Sequence, residues 1–487
     1  MAEAPARWST ADWAVLRFTV VQAVLSAALS VAFAVPLARA LARRRFPGRE
    51  TLLLCLGAPF IVPVIVATLG VLAIWGRSGL VSDGLGALGL PALDIYGLPG
   101  ILLAHVFFNL PLATRMLLSG WWSIPAEQHR LADQLGFNLR ERFRILEMPM
   151  LREVVPGALL LIFLICLTSF AVALTLGGGP RATTLELAIY QAVRFEFDLS
   201  RAASLSLVQV SVALGVAIFA LALTRPAMGL DGVARGVSSA GPRQGRIFDG
   251  AVLVVASGFL LLPLAAIGVR GLPGLLSLPP NVPPAALRSL IVALASGAFA
   301  TSLALAIAWT LTTPGARWRG LLGEGLVLVG LTASPLVIGT GLFVLIRPLL
   351  DPFAVALWLT ALVNAALGVP FALRILVPAV AQVRRSHERL AQQLDLPPAL
   401  WRRRVLLPGI RRPLGLAMGL VAAFSTGDLG IIALFGSSTT ETLPLVMFGL
   451  MGAYRTQEAL SAALLLAVMA FGFFAIFDHW GRRHDPR

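Results

Sequence analysis

Asp428 lies about two-thirds of the way through an apolar run at 411–435. A carboxylate in such a run is expensive, and it usually faces a cavity or a partner. Two roles fit it: attracting a cation along a path, or bonding a helix terminus beside Gly427 and Gly430. His105 and Asn109 stand one helical turn apart on one face of the run at 98–120. Hydrogen bonds between helices account for such a pair, and so does a place along a path. Tyr190, Phe195 and Phe197 follow the turn Gly177-Gly178-Gly179-Pro180. Aromatics there act as anchors at a membrane surface or stack on an aromatic or cationic ligand. The three glycines read as a tight turn that lets a segment fold back, rather than as a phosphate cradle.

Other chemistry is excluded. Every one of the 39 basic residues is Arg, so no Walker A lysine exists to hold phosphates. Neither H-E-x-x-H, nor G-x-S-x-G with partners, nor an acid pair at catalytic spacing occurs. Cys55 and Cys166 each lie in an apolar run and read as small hydrophobes, without disulfide or zinc spacing.

The elements that must carry these residues are membrane helices. Hydrophobic residues make up 57% of the 487, and charged residues 13%. A soluble domain carries about 25% charged residues. Apolar runs long enough to cross a bilayer recur throughout. Eleven spans are expected, near 15–41, 52–75, 98–120, 152–176, 201–224, 248–269, 287–313, 321–346, 353–380, 411–435 and 457–478. Alternate loops concentrate arginine: 43–49, 130–144, 235–246, 317–319, 384–404 and the tail. The positive-inside rule puts these in the cytoplasm, with the N-terminus outside and the C-terminus inside. The net charge of +15 therefore reports orientation rather than nucleic-acid binding. No cleavable signal sequence is evident, and the first run is long enough to be a span.

A repeat runs through the chain. Pro111-Leu112-Ala113-Thr114-Arg115 returns as Pro370-Phe371-Ala372-Leu373-Arg374, 259 residues later. At the same offset Arg130-Leu131-Ala132-Asp133-Gln134-Leu135 matches Arg389-Leu390-Ala391-Gln392-Gln393-Leu394, and Pro149 matches Pro408. Ser169 is the counterpart of Asp428, Asn364 of His105 and Gly368 of Asn109. The expected division is a first half at 1–230, a cytoplasmic linker at 231–247 and a second half at 248–487, as parallel repeats. Five spans precede the linker and six follow it, so the first half is expected to lack a helix, lost or lying upstream. Each half carries one large basic loop, 121–151 and 381–411. Each loop should hold a short amphipathic helix, marked by Leu131, Leu135 and Leu139, and by Leu390 and Leu394. Such a helix docks a partner or rests on headgroups. Two in matched register suit a two-fold partner.

These loops resemble the EAA loops of binding-protein-dependent ATP-binding cassette importers. Arg130-Leu131-Ala132, Gly136 and Pro149 occupy that pattern, as do Arg389-Leu390-Ala391, Asp395 and Pro408; Arg replaces Glu twice and Asp395 replaces a Gly. Further segments, YGLPGILLAHVFFNLPLATR at 96–115, LGGGPRATTLELAIYQA at 176–192 and GDLGIIALFG at 427–436, resemble the permease subunits of thiamine and thiamine-pyrophosphate importers. The resemblance implies an all-α integral membrane protein of the type I importer permease class in a bacterial inner membrane, and no enzyme. It implies thiamine or its phosphates as cargo, an ATPase dimer on the loops and a periplasmic binding protein. ATP and Mg would sit on the partner subunit, with no cofactor on this chain. The candidate path residues are Asp428, His105, Asn109, Tyr190 and Ser169. Ferric iron is the rival cargo within this class. A self-contained secondary carrier is the rival outside it, but it should show paired intramembrane charges, and little beyond Asp428 suggests them.

Overall fold

A computed structural model describes residues 8–56, 61–223, 245–313 and 333–482, together with 325 and 330. Among the described residues there is no strand, and ten helices are long and apolar enough to cross a membrane. The expected span at 321–346 lies largely outside the described residues, and only its end, Pro335–Ile346, is an apolar helix. The other ten expected spans each meet one of the ten helices. Of the expected linker, 231–244 lies outside the described residues, and 246–247 already belong to the next helix.

The first half runs α1 Thr10–Arg43, α2 Arg49–Cys55, α3 Val64–Trp75, α4 Leu80–Ala87, α5 Leu98–Ser123, α6 Ala126–Gln134, α7 Leu139–Arg142, α8 Met148–Leu167, α9 Phe170–Leu176, α10 Leu185–Gln191 and α11 Leu199–Leu223. The second runs α12 Arg246–Gly271, α13 Val282–Thr312, α14 Pro335–Ile346, α15 Ala356–Gln393, α16 Pro398–Trp401, α17 Leu407–Gly409, α18 Arg411–Thr426, α19 Gly430–Phe435, α20 Leu443–Gly452 and α21 Thr456–Arg482.

Two long helices seed the halves. On α1 the buried face repeats Ala23, Ala27, Val31, Ala34 and Ala38; on α13 it repeats Ala285, Ser289, Ala293, Ala300 and Ala304. Small side chains let backbones approach where lipid gives no hydrophobic drive between helices. A capping box at Ser9 and Asp12 closes the start of α1.

Two corrections concern the loops. In the second half no separate amphipathic helix follows the span: α15 runs 38 residues without a break. Pro125 separates α5 from α6, because proline lacks the amide donor and drives the preceding residue out of the helical region. Arg384 stands at the equivalent place and lets the helix continue. Leu139 does not extend the stripe of Leu131 and Leu135, because it opens α7, beyond the end of α6.

α12 has no counterpart among the described helices of the first half. It lies across that half: Arg270 donates to the Ala73 carbonyl of α3 at 3.2 Å, and Arg44 pairs with the buried Asp249 at 2.6 Å. The crossing is close at Gly70, where a Cβ would sit 2.7 Å from the Pro263 carbonyl oxygen. Gly70→Val should therefore push α12 off α3 and destabilise the chain by about 1–3 kcal/mol, the usual cost of overpacking. Thermal unfolding of the detergent-purified variant checks this, and an unchanged midpoint would refute the tight crossing.

Candidate docking loops and translocation path

From the ends of α6 and α15 as far as Met148 and Leu407, the two loops carry the same elements at the 259-residue offset. α6 and α15 both end in a left-handed residue, Gly136 at φ 68° and Asp395 at φ 48°. The same bonds close both ends: Phe137 N donates to Ala132 O at 2.9 Å, and Leu396 N to Ala391 O at 3.0 Å. Asp is among the few residues that tolerate this region, so the departure from Gly keeps the turn. A short α-helix and a π-turn follow in each loop, α7 with 143–147 and α16 with 402–406. Ala132 and Ala391 face inward and are buried. Leu131 and Leu390 are each 54% exposed, and Leu135 and Leu394 are 61% and 62% exposed. Arg130, Arg389, Pro149 and Pro408 are exposed as well.

Each loop is anchored to a long helix of its half, α1 or α13, by a cation over an aromatic ring, with the roles exchanged. Arg39 of α1 lies 4.9 Å over Phe143, whereas Arg402 lies 5.9 Å over Trp309 of α13. Arg39 also pairs with Glu147 at 2.6 Å. On α6, partial burial, with Arg142 beside it, pushes the His129 pKa below its ordinary value.

Between the loops and the far side, both halves break a membrane helix at the same place. α8 gives way to α9 at 168–169, and α18 to α19 at 427–429. Broken backbone at this depth must find partners within the protein. Asp428 Oδ1 accepts from Gly430 N at 3.2 Å and Oδ2 from Ile431 N at 3.4 Å, capping α19. Ser169 instead bonds His105 Nε2 at 2.9 Å, and His105 Nδ1 reaches Ser26 at 2.9 Å. The second half holds a chain of different order, in which Asn364 donates to Ser425, the counterpart of Cys166, at 3.0 Å, and Ser425 to Ser296 at 2.9 Å. Asn109, buried, donates to the His105 carbonyl at 2.9 Å and to Cys166 Sγ at 3.3 Å. Cys166 thus serves a polar network rather than only filling space.

The five path candidates meet in one region. A Cβ on Gly430 would sit 3.6 Å from Asp428 Oδ1 and 3.9 Å from the ring of Phe170, the residue after Ser169. Phe170 packs on Tyr190 at 5.3 Å, and Tyr190 on Phe195 at 5.6 Å. Tyr190 is buried and is no surface anchor; Phe195 and Phe197 are the exposed pair. His105 and Asn109 are fully engaged between helices. Gly178 and Gly179, at φ 68° and 135°, form the expected turn back into α10.

No family model matches the chain. It is 43% identical over 496 residues to the thiamine transport system permease protein ThiP of Brucella abortus (strain 2308), covering 98% of this chain and 89% of the relative. The ThiP proteins of Escherichia coli (strain K12) and Haemophilus influenzae (strain ATCC 51907 / DSM 11121 / KW20 / Rd) are 39% and 34% identical, over 96% and 98% of this chain and 88% and 90% of theirs. The chain belongs to this family of ATP-binding cassette importer permeases.

One polar group of the permease escaped the sequence reading. Glu186 in α10 is fully buried; Oε1 accepts from Gln209 of α11, while Oε2 has no hydrogen-bond partner in the structure. After a one-residue slip that sets Thr184-Leu185-Glu186-Leu187 against Thr442-Leu443-Pro444-Leu445, the position equivalent to Glu186 is Pro444, buried and apolar. The available signal was the lone carboxylate in LELAIYQ. Asp428 is therefore not the sole intramembrane carboxylate.

The cap geometry makes Asp428→Asn a discriminating change. Asn keeps one acceptor, so loss of the charged cap should cost about 1 kcal/mol, within the usual range for an N-cap. A lowered unfolding midpoint with unchanged uptake per folded molecule is expected if capping is its whole role. Slowed uptake at an unchanged midpoint would contradict that and assign the charge to the path.

Proposed function

We propose that this permease carries thiamine, or its phosphate esters, into the cytoplasm by alternating access. The cargo reading rests on the relatives, whose names specify thiamine transport. The observation that carries the mechanism is the pair of loops with equal turns and equally exposed leucines. Two equivalent apolar surfaces on one chain suit a two-fold partner. An ATPase dimer, holding ATP and Mg, would seat on Leu131, Leu135, Leu390 and Leu394 and the flanking Arg130 and Arg389. The arginine asymmetry supports placing these loops and the C-terminus in the cytoplasm and the N-terminus in the periplasm. A periplasmic binding protein would then deliver cargo at the opposite face. The division into 1–230, 231–247 and 248–487 gives each half one loop and one broken helix.

The central region supports the cargo chemically. Thiamine carries a cationic thiazolium ring. A half-buried carboxylate at Asp428 and the ring of Phe170 offer charge and a π-face to such a ring. Rocking of the halves about the breaks at 168–169 and 427–429 would expose this region to each side in turn.

The test is reconstitution with the ATPase and the binding protein. Leu135→Asp combined with Leu394→Asp should lower ATP-driven uptake about tenfold or more, as buried interface anchors do when lost, while membrane insertion persists. Uptake at the parent rate would remove these segments from the docking surface. In the parent protein, radiolabelled thiamine or its pyrophosphate should be taken up and ferric iron should not; iron uptake alone would overturn the cargo.

A further inference from the structure

The segment 192–201 lies at the end of the molecule away from the docking loops. Arg201 pairs at 3.0 Å with Asp12, at the start of α1, whereas Arg39, near the end of α1, meets Glu147 of the first loop. The acids of this segment are engaged locally: Glu196 pairs with Arg201 at 2.6 Å, and Asp198 Oδ1 accepts from Arg201 N at 2.8 Å. Arg194 instead reaches across the boundary between the halves. Half-buried in the π-turn 192–196 that follows α10, it donates from Nη2 to the Gly436 carbonyl at 3.0 Å. Its guanidinium also lies 5.8 Å over the ring of Phe353.

Both contacts lead to one helix of the second half. Gly436 caps the end of α19, the helix whose start Asp428 caps. A Cβ on Gly436 would sit 2.5 Å from the Ile432 carbonyl oxygen, so glycine alone fits there. Phe353 packs on Phe343 of α14 at 6.1 Å, and Phe343 stacks on Phe435, the last residue of α19, at 5.9 Å. One arginine thus holds the end carbonyl of α19 and the aromatic stack beside it. A cation is favoured where helix carbonyls lack partners, and a charge-assisted bond is the stronger kind. At the matching place in the second half, α20 ends in Met451-Gly452-Ala453, which holds no cation to return the contact.

We propose that Arg194 is a positioning residue for transport. It is a latch that joins the two halves at the end away from the loops, and it must release α19 before the central region opens to that side. The role in transport rests on the alternating-access reading above.

Pulsed electron paramagnetic resonance on the full chain tests the latch by itself. Spin labels enter through Arg181→Cys and Ser438→Cys, exposed positions of the first and second half, in a Cys55→Ala background; Cys166 is buried. The parent should give one distance. Arg194→Gln should add a longer one and raise the ratio of open to closed about tenfold, the scale of a lost bond to a charged group. Arg194→Lys keeps a cationic donor and should restore the parent distribution. An unchanged distribution in Arg194→Gln would overturn the latch. Phe353→Leu removes only the ring and should add the longer distance more weakly. Should Arg194→Gln fail to fold, an unchanged distribution in Phe353→Leu would overturn the latch instead. With the ATPase dimer added and the binding protein withheld, Arg194→Gln should hydrolyse ATP about threefold or more faster than the parent, because the latched state is less populated. A longer distance with hydrolysis at the parent rate would uphold the latch and contradict alternating access.

Discussion

A backbone amide freed by a helix break has no water to bond inside a membrane, so a side chain must take it. This chain solves the problem twice in the same way. Thr19 Oγ1 on α1 accepts from Leu185 N at 2.9 Å, and Ser289 Oγ on α13 accepts from Leu443 N at 2.9 Å. Each hydroxyl sits on one of the two longest small-residue helices, α1 or α13, and receives the segment that returns after the broken span. The returning helices α10 and α20, the turns before them and the left-handed residues that end them, Phe197 at φ 54° and Tyr454 at φ 59°, depend on that docking. Gly177 and Gly436 also cap equivalent helices, α9 and α19.

The frame is two-fold, and its filling is not. Equivalent sites hold Ser169 and Asp428, His105 and Asn364, Glu186 and Pro444. The scaffold supplies two matched loops, whereas the polar groups buried between the helices differ from half to half. The helix that carries Glu186, α10, packs on α14 of the second half, and Arg194 reaches the Gly436 carbonyl across the same boundary at 3.0 Å. Chemical difference is concentrated where the halves meet.

The loops were legible in the sequence because polar residues fix register. Arg130-Leu131-Ala132 against Arg389-Leu390-Ala391 set the two loops in one register. The Asp395 substitution looked like a departure, yet its backbone keeps the turn of Gly136. The membrane helices were legible as spans but not as partners. Thr19 and Ser289 are related by a different offset, 270 residues, and apolar sequence around them carries no register to reveal it. Glu186 hid because one carboxylate in a short apolar segment looks like a loop residue until its burial is known. For Tyr190 the sequence left a surface anchor and a path residue both open, and the structure buries it. The continuous α15 was missed because a single Pro-to-Arg difference, Pro125 against Arg384, decides whether the helix stops.

The most direct test of the two hydroxyl docks is amide hydrogen exchange of Leu185 and Leu443 in the membrane-reconstituted chain. Thr19→Val should speed exchange around Leu185 and leave Leu443 protected, and Ser289→Ala should do the reverse. Removing a partner from a buried donor costs about 1–3 kcal/mol, so each rise should be about tenfold or more. Unchanged protection at both amides in both variants would contradict the dependence of the returning segments on these two side chains.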